Sequence, residues 1–275
     1  EVVFGARVVS VEEAPDGRLR VRFTRPGDGE REVLARGAVG AWGRWNALDR
    51  ALDRRFARGS RRFFGWSADY DGGEGALRGQ ARLYLFPGGY CGLSPIEEGA
   101  VHLAGVIAEA ALRRLSPGWD SVVAHARRGN ADLDRDMAGL SPPGDAGFLG
   151  TGPVFFTRKP AAEGGLLMAG DAAGVLDPFL GEGLSVALSS GLLAAETLER
   201  ALSGKIALQE APRYYARAWS ERFAGRTRRG AACRALMLHP TAARVAAALA
   251  GERLVRLALG SVGRRKGSLA LTRSG

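Results

Sequence analysis

The sequence has 275 residues, of which 46% are hydrophobic and 25% charged, a balance that excludes an intrinsically disordered chain and indicates a globular protein with a substantial core. Its two cysteines, Cys91 and Cys233, and its three histidines are too scattered to predict a disulfide framework or a metal centre, so we expect a cytoplasmic protein. The formal charge of +10 favours an anionic partner, and no apolar run reaches the roughly eighteen residues that a membrane-spanning helix needs.

The first 57 residues are predicted to form strands followed by a helix. Val2 to Val11 and Leu19 to Thr24 alternate between apolar and polar side chains around a Pro-Asp-Gly turn, which is typical of a β-hairpin. A third strand is expected at Glu32 to Val39. A helical pattern follows, marked by Leu48, Leu52 and Phe56 at four-residue spacing. We interpret residues 1–57 as part of a nucleotide-binding domain.

Residues 58–160 are richer in aromatic side chains and predict a separate, antiparallel domain for binding substrate. Strands are expected at Arg61 to Ala68, Arg82 to Phe86 and Ala100 to Ile107. A helix is expected from about Gly118 to Asn130.

Residues 161–203 are predicted to return to the nucleotide-binding domain. Gly165 to Ala169 is a short apolar run that indicates a buried strand, and Leu184 to Leu202 is a long helical pattern. One side of that helix carries Leu188, Leu192, Ala195 and Leu198. Residues 204–275 are helical in pattern, with breaks that predict three or four helices. The breaks are Pro212, Pro240, Gly225, Gly230, Gly251 and Gly260.

The segment after the buried strand carries the chemistry. The strand delivers Gly170 and Asp171 to its carboxyl end, where ligands bind in α/β arrangements. Asp171 is placed to accept a hydrogen bond from a ribose or ribityl hydroxyl, and the small side chain of Ala172 lets the backbone approach a ligand. The N–H groups of the glycine-rich run at residues 181–183 open the next helix and favour negative charge.

These residues resemble a known family. The string Ala169-Gly-Asp-Ala-Ala-Gly174, followed by Asp177, Pro178 and the run Gly181, Glu182, Gly183, closely resembles the second FAD motif of the geranylgeranyl reductase-like flavoproteins, relatives of the aromatic hydroxylases and flavin halogenases. The resemblance implies FAD as cofactor, with NAD(P)H as a candidate electron donor. It also implies that Asp171 binds the ribityl region, and that the loop from Pro178 to Gly183 lies beside the isoalloxazine ring.

Two weaker resemblances, each over a short segment, point the same way. Residues 84–90, from Tyr84 through Phe86 to Tyr90, resemble the strand and turn that lie over the flavin in this family, and we expect those three aromatic residues in the substrate pocket. Residues 39–44 resemble a strand end that reads Gly-Ala-Asp-Gly in the hydroxylases, with Trp42 in place of the Asp.

The resemblance implies an α/β (α+β) fold, with an incomplete Rossmann-like FAD-binding domain, an inserted antiparallel substrate domain and a helical C-terminal tail. No Gly-x-Gly-x-x-Gly motif occurs, so the turn that binds the pyrophosphate is missing from these residues. Either the chain is a fragment or it no longer binds FAD fully. We favour the fragment, because the opening hairpin is what normally follows that half.

The resulting hypothesis is an FAD-dependent oxidoreductase that reduces a carbon–carbon double bond in an apolar polyprenyl compound. An FAD-dependent monooxygenase, hydroxylase or halogenase is the alternative within the enzymes. A non-catalytic basic protein that associates with membranes or nucleic acid is the alternative of another class. We expect no nucleic acid partner, since no helix-turn-helix, zinc finger or RNP signature accompanies the charge. Peripheral membrane contact through the arginine-rich tail stays open.

Two further side chains were weighed for catalysis. Cys91 follows a glycine turn and could face a flavin, but a small buried cysteine is the commoner situation. His102 lies mid-strand, where a buried histidine with a structural role outweighs an acid/base role.

Overall fold

The computed structural model of the protein describes residues 1–57, 62–72, 77, 80–142, 147–157 and 159–238. These residues form three β-sheets and six α-helices. Arg61, Pro240, Gly251 and Gly260, which entered the sequence-based predictions, lie outside the described residues.

An N-terminal antiparallel meander confirms the predicted hairpin. It consists of β1 (Arg7–Glu13), β2 (Leu19–Arg25) and β3 (Gly29–Ala35), in that order. The predicted third strand at Glu32 to Val39 is instead two strands in two sheets, because the chain leaves the meander after Ala35 and starts β4 (Ala38–Gly40) in a different sheet. Gly37 lies at the crossing, where an added Cβ would stand 2.6 Å from the Leu198 side chain.

The second sheet joins distant parts of the sequence. Strand β4 pairs in parallel with β11 (Leu166–Met168), which also pairs antiparallel with β10 (Ala162–Glu163). All three residues of β11 are buried, which confirms the predicted buried strand. A hydrophobic core surrounds it, with contributions from β1, β2 and two helices described below.

The third sheet is antiparallel and has five strands, whose ranges are given at the end of this paragraph. Their order in the sheet is β6, β7, β8, β5, β9. The sequence predicted β5, β6 and β8 and missed β7 and β9. Two helices, α3 (Trp119–Gly129) and α4 (Ala131–Asp136), pack with one face of this sheet in a core of buried apolar side chains. A four-residue helix, α2 (Glu109–Leu112), follows β8. The strands are β5 (Phe63–Tyr70), β6 (Arg82–Phe86), β7 (Gly89–Pro95), β8 (Val101–Ala108) and β9 (Phe148–Val154).

The helix that follows the parallel sheet is α5 (Gly183–Leu202), close to its predicted bounds. Leu188 and Leu192, on the side that the sequence marked as apolar, are exposed, and so is Leu184. The packed side instead carries mostly small residues and one leucine. Helix α5 is therefore apolar on two faces, so the leucine spacing did not identify the buried one. The buried residues are Val186, Ser190, Leu193, Ala194, Thr197 and Ala201.

The described part of the tail is one long helix, α6 (Ala211–Met237), preceded by a short 3-10 turn. The predicted break at Gly225 and Gly230 is wrong. Gly230 is buried in the helix, where an added Cβ would stand 3.0 Å from Leu180, so a close contact accounts for this glycine. No helix within the described residues is long and apolar enough to cross a membrane.

The helix predicted after the meander is shorter than expected. It is α1 (Ala47–Ala51), which the Asn46 side chain caps, and a 3-10 turn at Arg55–Ala57 follows it. The helix ends here because Asp53 takes a φ of 49°, outside the right-handed helical region.

Candidate functional site

The turn after β11 brings the chain close to helix α5. Gly170 has a φ of 60°, and its N–H donates to the Ser190 Oγ at 2.8 Å. An added Cβ at residue 170 would stand 3.2 Å from the Ala187 Cβ, so the positive φ and the close contact both favour glycine. Ala172 and Ala173 are fully buried behind the turn.

Asp171 follows Gly170, with a half-buried side chain in the wall of a cavity. Burial raises the pKa of its carboxyl, and the nearby positive charges of Lys159 and Arg44 lower that pKa in part. Within the described residues no group donates a hydrogen bond to this carboxylate. The carboxylate is therefore free to accept hydrogen bonds from a ligand in the cavity.

Lys159 binds the backbone on both sides of the cavity edge, at Asp171 and at Arg44. Its Nζ donates to the backbone carbonyl oxygens of Asp171 and Arg44, at 2.7 and 2.6 Å, and lies 4.5 Å from the centre of the Phe56 ring. Burial lowers the pKa of Lys159 to about 8. This single ammonium group fixes two backbone segments that border the cavity.

The cavity that Asp171 borders, here called the sheet cavity, has a volume of about 550 Å³, within the range of small-molecule sites. One wall comes from the turn and loop at residues 171–183. The opposite wall comes from β5, β7, β8 and β9, where the small residues Gly65 and Ala104 leave room above the sheet. The Trp66 indole lies on the other face of the sheet, in the core beneath α3 and α4, where its buried Nε1–H has no acceptor among the described residues.

The loop predicted to lie beside a flavin ring contributes unevenly to the sheet cavity. Pro178 and Gly183 line it, while Gly181 and Glu182 do not. The predicted free N–H at Gly181 is wrong, because a 3-10 turn forms at residues 178–180 and the Gly181 N–H donates to the Pro178 carbonyl oxygen at 3.0 Å. Glu182 is buried, with its carboxylate 3.9 Å from Arg226. Only the start of α5 at Gly183 directs the helix N-terminus toward the cavity.

Of the three aromatic residues predicted for the substrate pocket, Tyr90 lines the sheet cavity, and Tyr84 and Phe86 do not. Tyr84 and Phe86 lie on the opposite face of β6, in the core beneath α3 and α4, where the Tyr84 hydroxyl donates to Asp136 at 2.5 Å. Successive residues of a strand alternate between faces, so the β6 residue that reaches the cavity is Leu83.

A hydrogen-bonded chain that the sequence did not predict crosses the loop. The Tyr90 hydroxyl donates to the Asp177 carboxylate at 3.2 Å, and Arg234 of α6 donates to the other carboxylate oxygen. Asp177 is almost fully buried, and burial raises its pKa to about 6 in spite of the opposing effects of Arg234 and Tyr90. Arg234 lies 57 residues from Asp177 in an arginine-rich helix, so no local pattern singles it out.

His102 also lines the sheet cavity, which revises its predicted role as a buried structural residue. Its side chain is 42% exposed, and its Nδ1 hydrogen-bonds to the Asp69 carboxylate. Because Nδ1 makes this hydrogen bond, Nε2 is available to exchange a proton with a ligand in the cavity. Cys91 is fully buried in the core on the other face of the sheet, as the residue type suggested, and burial raises the pKa of its thiol to about 12.

A buried arginine, which sequence reasoning also missed, holds the segments behind the site together. The Arg54 guanidinium is fully buried and forms ion pairs with Asp49 at 3.0 Å and Glu163 at 2.8 Å. It also donates to the carbonyl oxygens of Ala172 and Pro160, at 3.0 and 2.8 Å. One side chain thereby joins α1, β10 and the turn that carries Asp171.

Comparisons with known proteins agree with this architecture. The chain is 25% identical to digeranylgeranylglycerophospholipid reductase 1 of Methanococcoides burtonii over 198 residues, which are 70% of this chain and 44% of the relative. No protein-family model matches it.

Two solved structures with similar folds cover nearly the whole chain. The flavin-dependent brominase Bmp2 is 20% identical, with a TM-score of 0.69, over 95% of this chain and 66% of that one. OxyS anhydrotetracycline hydroxylase from Streptomyces rimosus is 19% identical, with a TM-score of 0.65, over 95% of this chain and 52% of that one. The chain thus spans about half the length of the reductase and of OxyS, and about two thirds of Bmp2. The solved structures confirm the predicted fold class, and the curated relative confirms the predicted resemblance to geranylgeranyl reductase-like proteins.

Proposed function

We propose that this chain forms the part of an FAD-dependent oxidoreductase that meets the flavin ring and an apolar substrate. The observation that carries the proposal is the half-buried Asp171 carboxylate, which lacks a donor within the described residues and borders a cavity of about 550 Å³. The carboxylate is therefore open to accept hydrogen bonds from a ligand in that cavity. Similarity to flavin-dependent enzymes supports FAD as that ligand.

The residues at the sheet cavity fit such a cofactor. Asp171 would accept hydrogen bonds from the ribityl hydroxyls of the flavin. The start of α5 at Gly183 would favour negative charge on the ring through the helix dipole. When bound, FAD would supply the redox chemistry, while the protein supplies orientation and electrostatics.

The substrate side of the proposal is an apolar polyprenyl compound, whose double bond the enzyme reduces. It is supported by the 25% identity to a digeranylgeranylglycerophospholipid reductase and by apolar side chains at the cavity, among them Leu83, Val106 and Leu149. Reduction of a carbon–carbon double bond requires a proton, and the His102–Asp69 pair is the proton donor that this cavity offers. NAD(P)H is the proposed electron donor.

A monooxygenase or halogenase is the second candidate, and the similarity to Bmp2 and OxyS supports it. The two candidates differ in their use of oxygen. A reductase acts on a prenyl substrate anaerobically, whereas the alternative consumes oxygen in step with product formation.

The cofactor assignment is tested by the visible absorbance of the natural protein and of an Asp171→Ala variant. We expect a yellow protein, with affinity for FAD at least about tenfold lower in the variant, since a hydrogen bond to a charged group contributes about 1.5–3 kcal/mol. The matched control is Asp28→Ala, because Asp28 lies in the exposed turn before β3 and should leave flavin content unchanged. A colourless natural protein that FAD cannot reconstitute would contradict the proposal.

A further inference from the structure

A second cavity lies on the other side of the Asp177 loop, between α6 and the segments that flank β10. This helix cavity has a volume of about 370 Å³. Its apolar wall includes Phe156, Pro160, Ala173, Ala216, Trp219 and Ala224. It shares only Val175 and Asp177 with the sheet cavity, so the two form separate chambers with a common partition. It lies at the β10 edge of the parallel sheet, the edge opposite β4.

The polar part of this wall is cationic. Lys159, Arg228 and Arg234 line the helix cavity, and Asp177 is the one carboxylate among its lining residues. Lys159 and Arg234 are held by protein acceptors, as described above. Arg228 is exposed, and it makes no ion pair or hydrogen bond with any described residue. A positive charge that no described residue pairs with therefore stands at the exposed side of a mainly apolar cavity.

The apolar part of the wall and this charge stand on one helix. Trp219 is only 8% exposed and lines the cavity with the alanines of α6. Arg228 lies on the same helix and lines the same cavity. A single bound molecule could therefore contact the apolar wall and the cation together.

We propose that the helix cavity binds an amphiphile with an acyclic apolar chain and one anionic head group, a carboxylate or a phosphate monoester. The apolar chain lies along the alanines of α6 and the Trp219 ring, and the head group pairs with Arg228 at the mouth. Charge complementarity selects an anion, and the apolar wall excludes a free inorganic ion as the main ligand. The site does not depend on the flavin proposal, because its residues are complete without the sheet cavity.

Isothermal titration calorimetry on the natural protein tests the site with decanoate, decyl phosphate, decanol and inorganic phosphate. Flavin content is recorded by absorbance in each sample, so failure of the flavin proposal leaves the titration readable. We expect saturable binding of decanoate or decyl phosphate at one site. The compound with the higher affinity identifies the preferred head group. We expect binding at least about tenfold weaker for decanol, and no measurable binding of phosphate alone.

Two variants with matched controls locate the ligand. Arg228→Gln should weaken anion binding by up to about fivefold, the upper end of the range for an exposed ion pair, and Arg229→Gln should not, since Arg229 is exposed on the same helix but does not line the cavity. Ala224→Phe should fill the cavity and abolish binding, whereas the exposed Ala232→Phe should not. Thermal unfolding confirms that each variant is folded.

Three results would overturn the proposal. Equal affinity for decanol and decanoate would show that the site does not require an anionic head group. Phosphate binding as tightly as decyl phosphate would show that the site binds an ion and not an apolar chain. Unchanged decanoate affinity in a folded Ala224→Phe variant would place the ligand elsewhere, as would the absence of binding by both anions.

Discussion

Replacement of Arg54 with methionine is expected to lower the free energy of unfolding by about 3–5 kcal/mol, the cost of breaking a buried ion pair by removing one partner. The guanidinium is fully buried and serves two carboxylates and two carbonyl oxygens at 2.8 to 3.0 Å. Methionine keeps much of the side-chain volume but donates to none of them. Asp49, only 2% exposed, would then hold a buried carboxylate without its cation.

Urea unfolding at constant m-value measures this loss, and a thermal scan should show a melting temperature lower by roughly 6 to 20 °C for a protein of this size. Arg54→Lys should recover only part of the stability, because one ammonium group cannot reproduce the planar fork of donors. Asp49→Asn combined with Arg54→Met should be more stable than Arg54→Met alone, since the unpaired charge is gone.

The neighbouring residue gives a matched control. Arg55 is 78% exposed and lies 3.6 Å from Asp53, so Arg55→Met should cost less than about 1 kcal/mol. If Arg54→Met and Arg55→Met destabilise the protein equally, the buried network does not have the role assigned to it here.

Three other predictions follow from buried or paired groups. Tyr215→Phe should lower the free energy of unfolding in urea by about 1–3 kcal/mol, because the fully buried hydroxyl donates to the Met168 carbonyl at 2.6 Å. Tyr214→Phe, on the exposed side of α6, should leave it unchanged. Equal effects of the two substitutions would argue against that hydrogen bond. His102→Gln should lower turnover about 100-fold or more at unchanged flavin absorbance, and unchanged turnover would exclude an acid/base role. Thiol titration of a Cys233→Ser variant at pH 8 should leave the fully buried Cys91 unmodified until the protein unfolds, and rapid labelling of the native variant would contradict its burial.

The sequence predicted the elements whose signals are local. Gly165 to Ala169 is apolar and flanked by glycines, and it forms the buried strand β11. The helix that starts near residue 183 and ends at Leu202 was also expected, as was the turn that carries Asp171. In each case the pattern that makes the element lies within a few residues of it.

Errors arose where tertiary contacts decide the outcome. Tyr84 and Phe86 were assigned to the right strand but to the wrong face, since alternation alone does not tell which face α3 and α4 will cover. The pairing of Asp177 with Arg234 links segments 57 residues apart, and neither residue has a distinguishing neighbourhood in the sequence. The four acceptors of Arg54 likewise come from positions 49, 160, 163 and 172.

The parallel pairing of β4 with β11 also bears on the order in which the protein folds. These strands are adjacent in space but separated by roughly 125 residues of chain, which gives the pair a high contact order and slow formation. The strands of the five-stranded sheet pair with one another inside that interval. During synthesis the inserted sheet can therefore form first, and the parallel sheet closes only when residues 166–168 emerge, so the Asp171 turn is among the last parts to be organised.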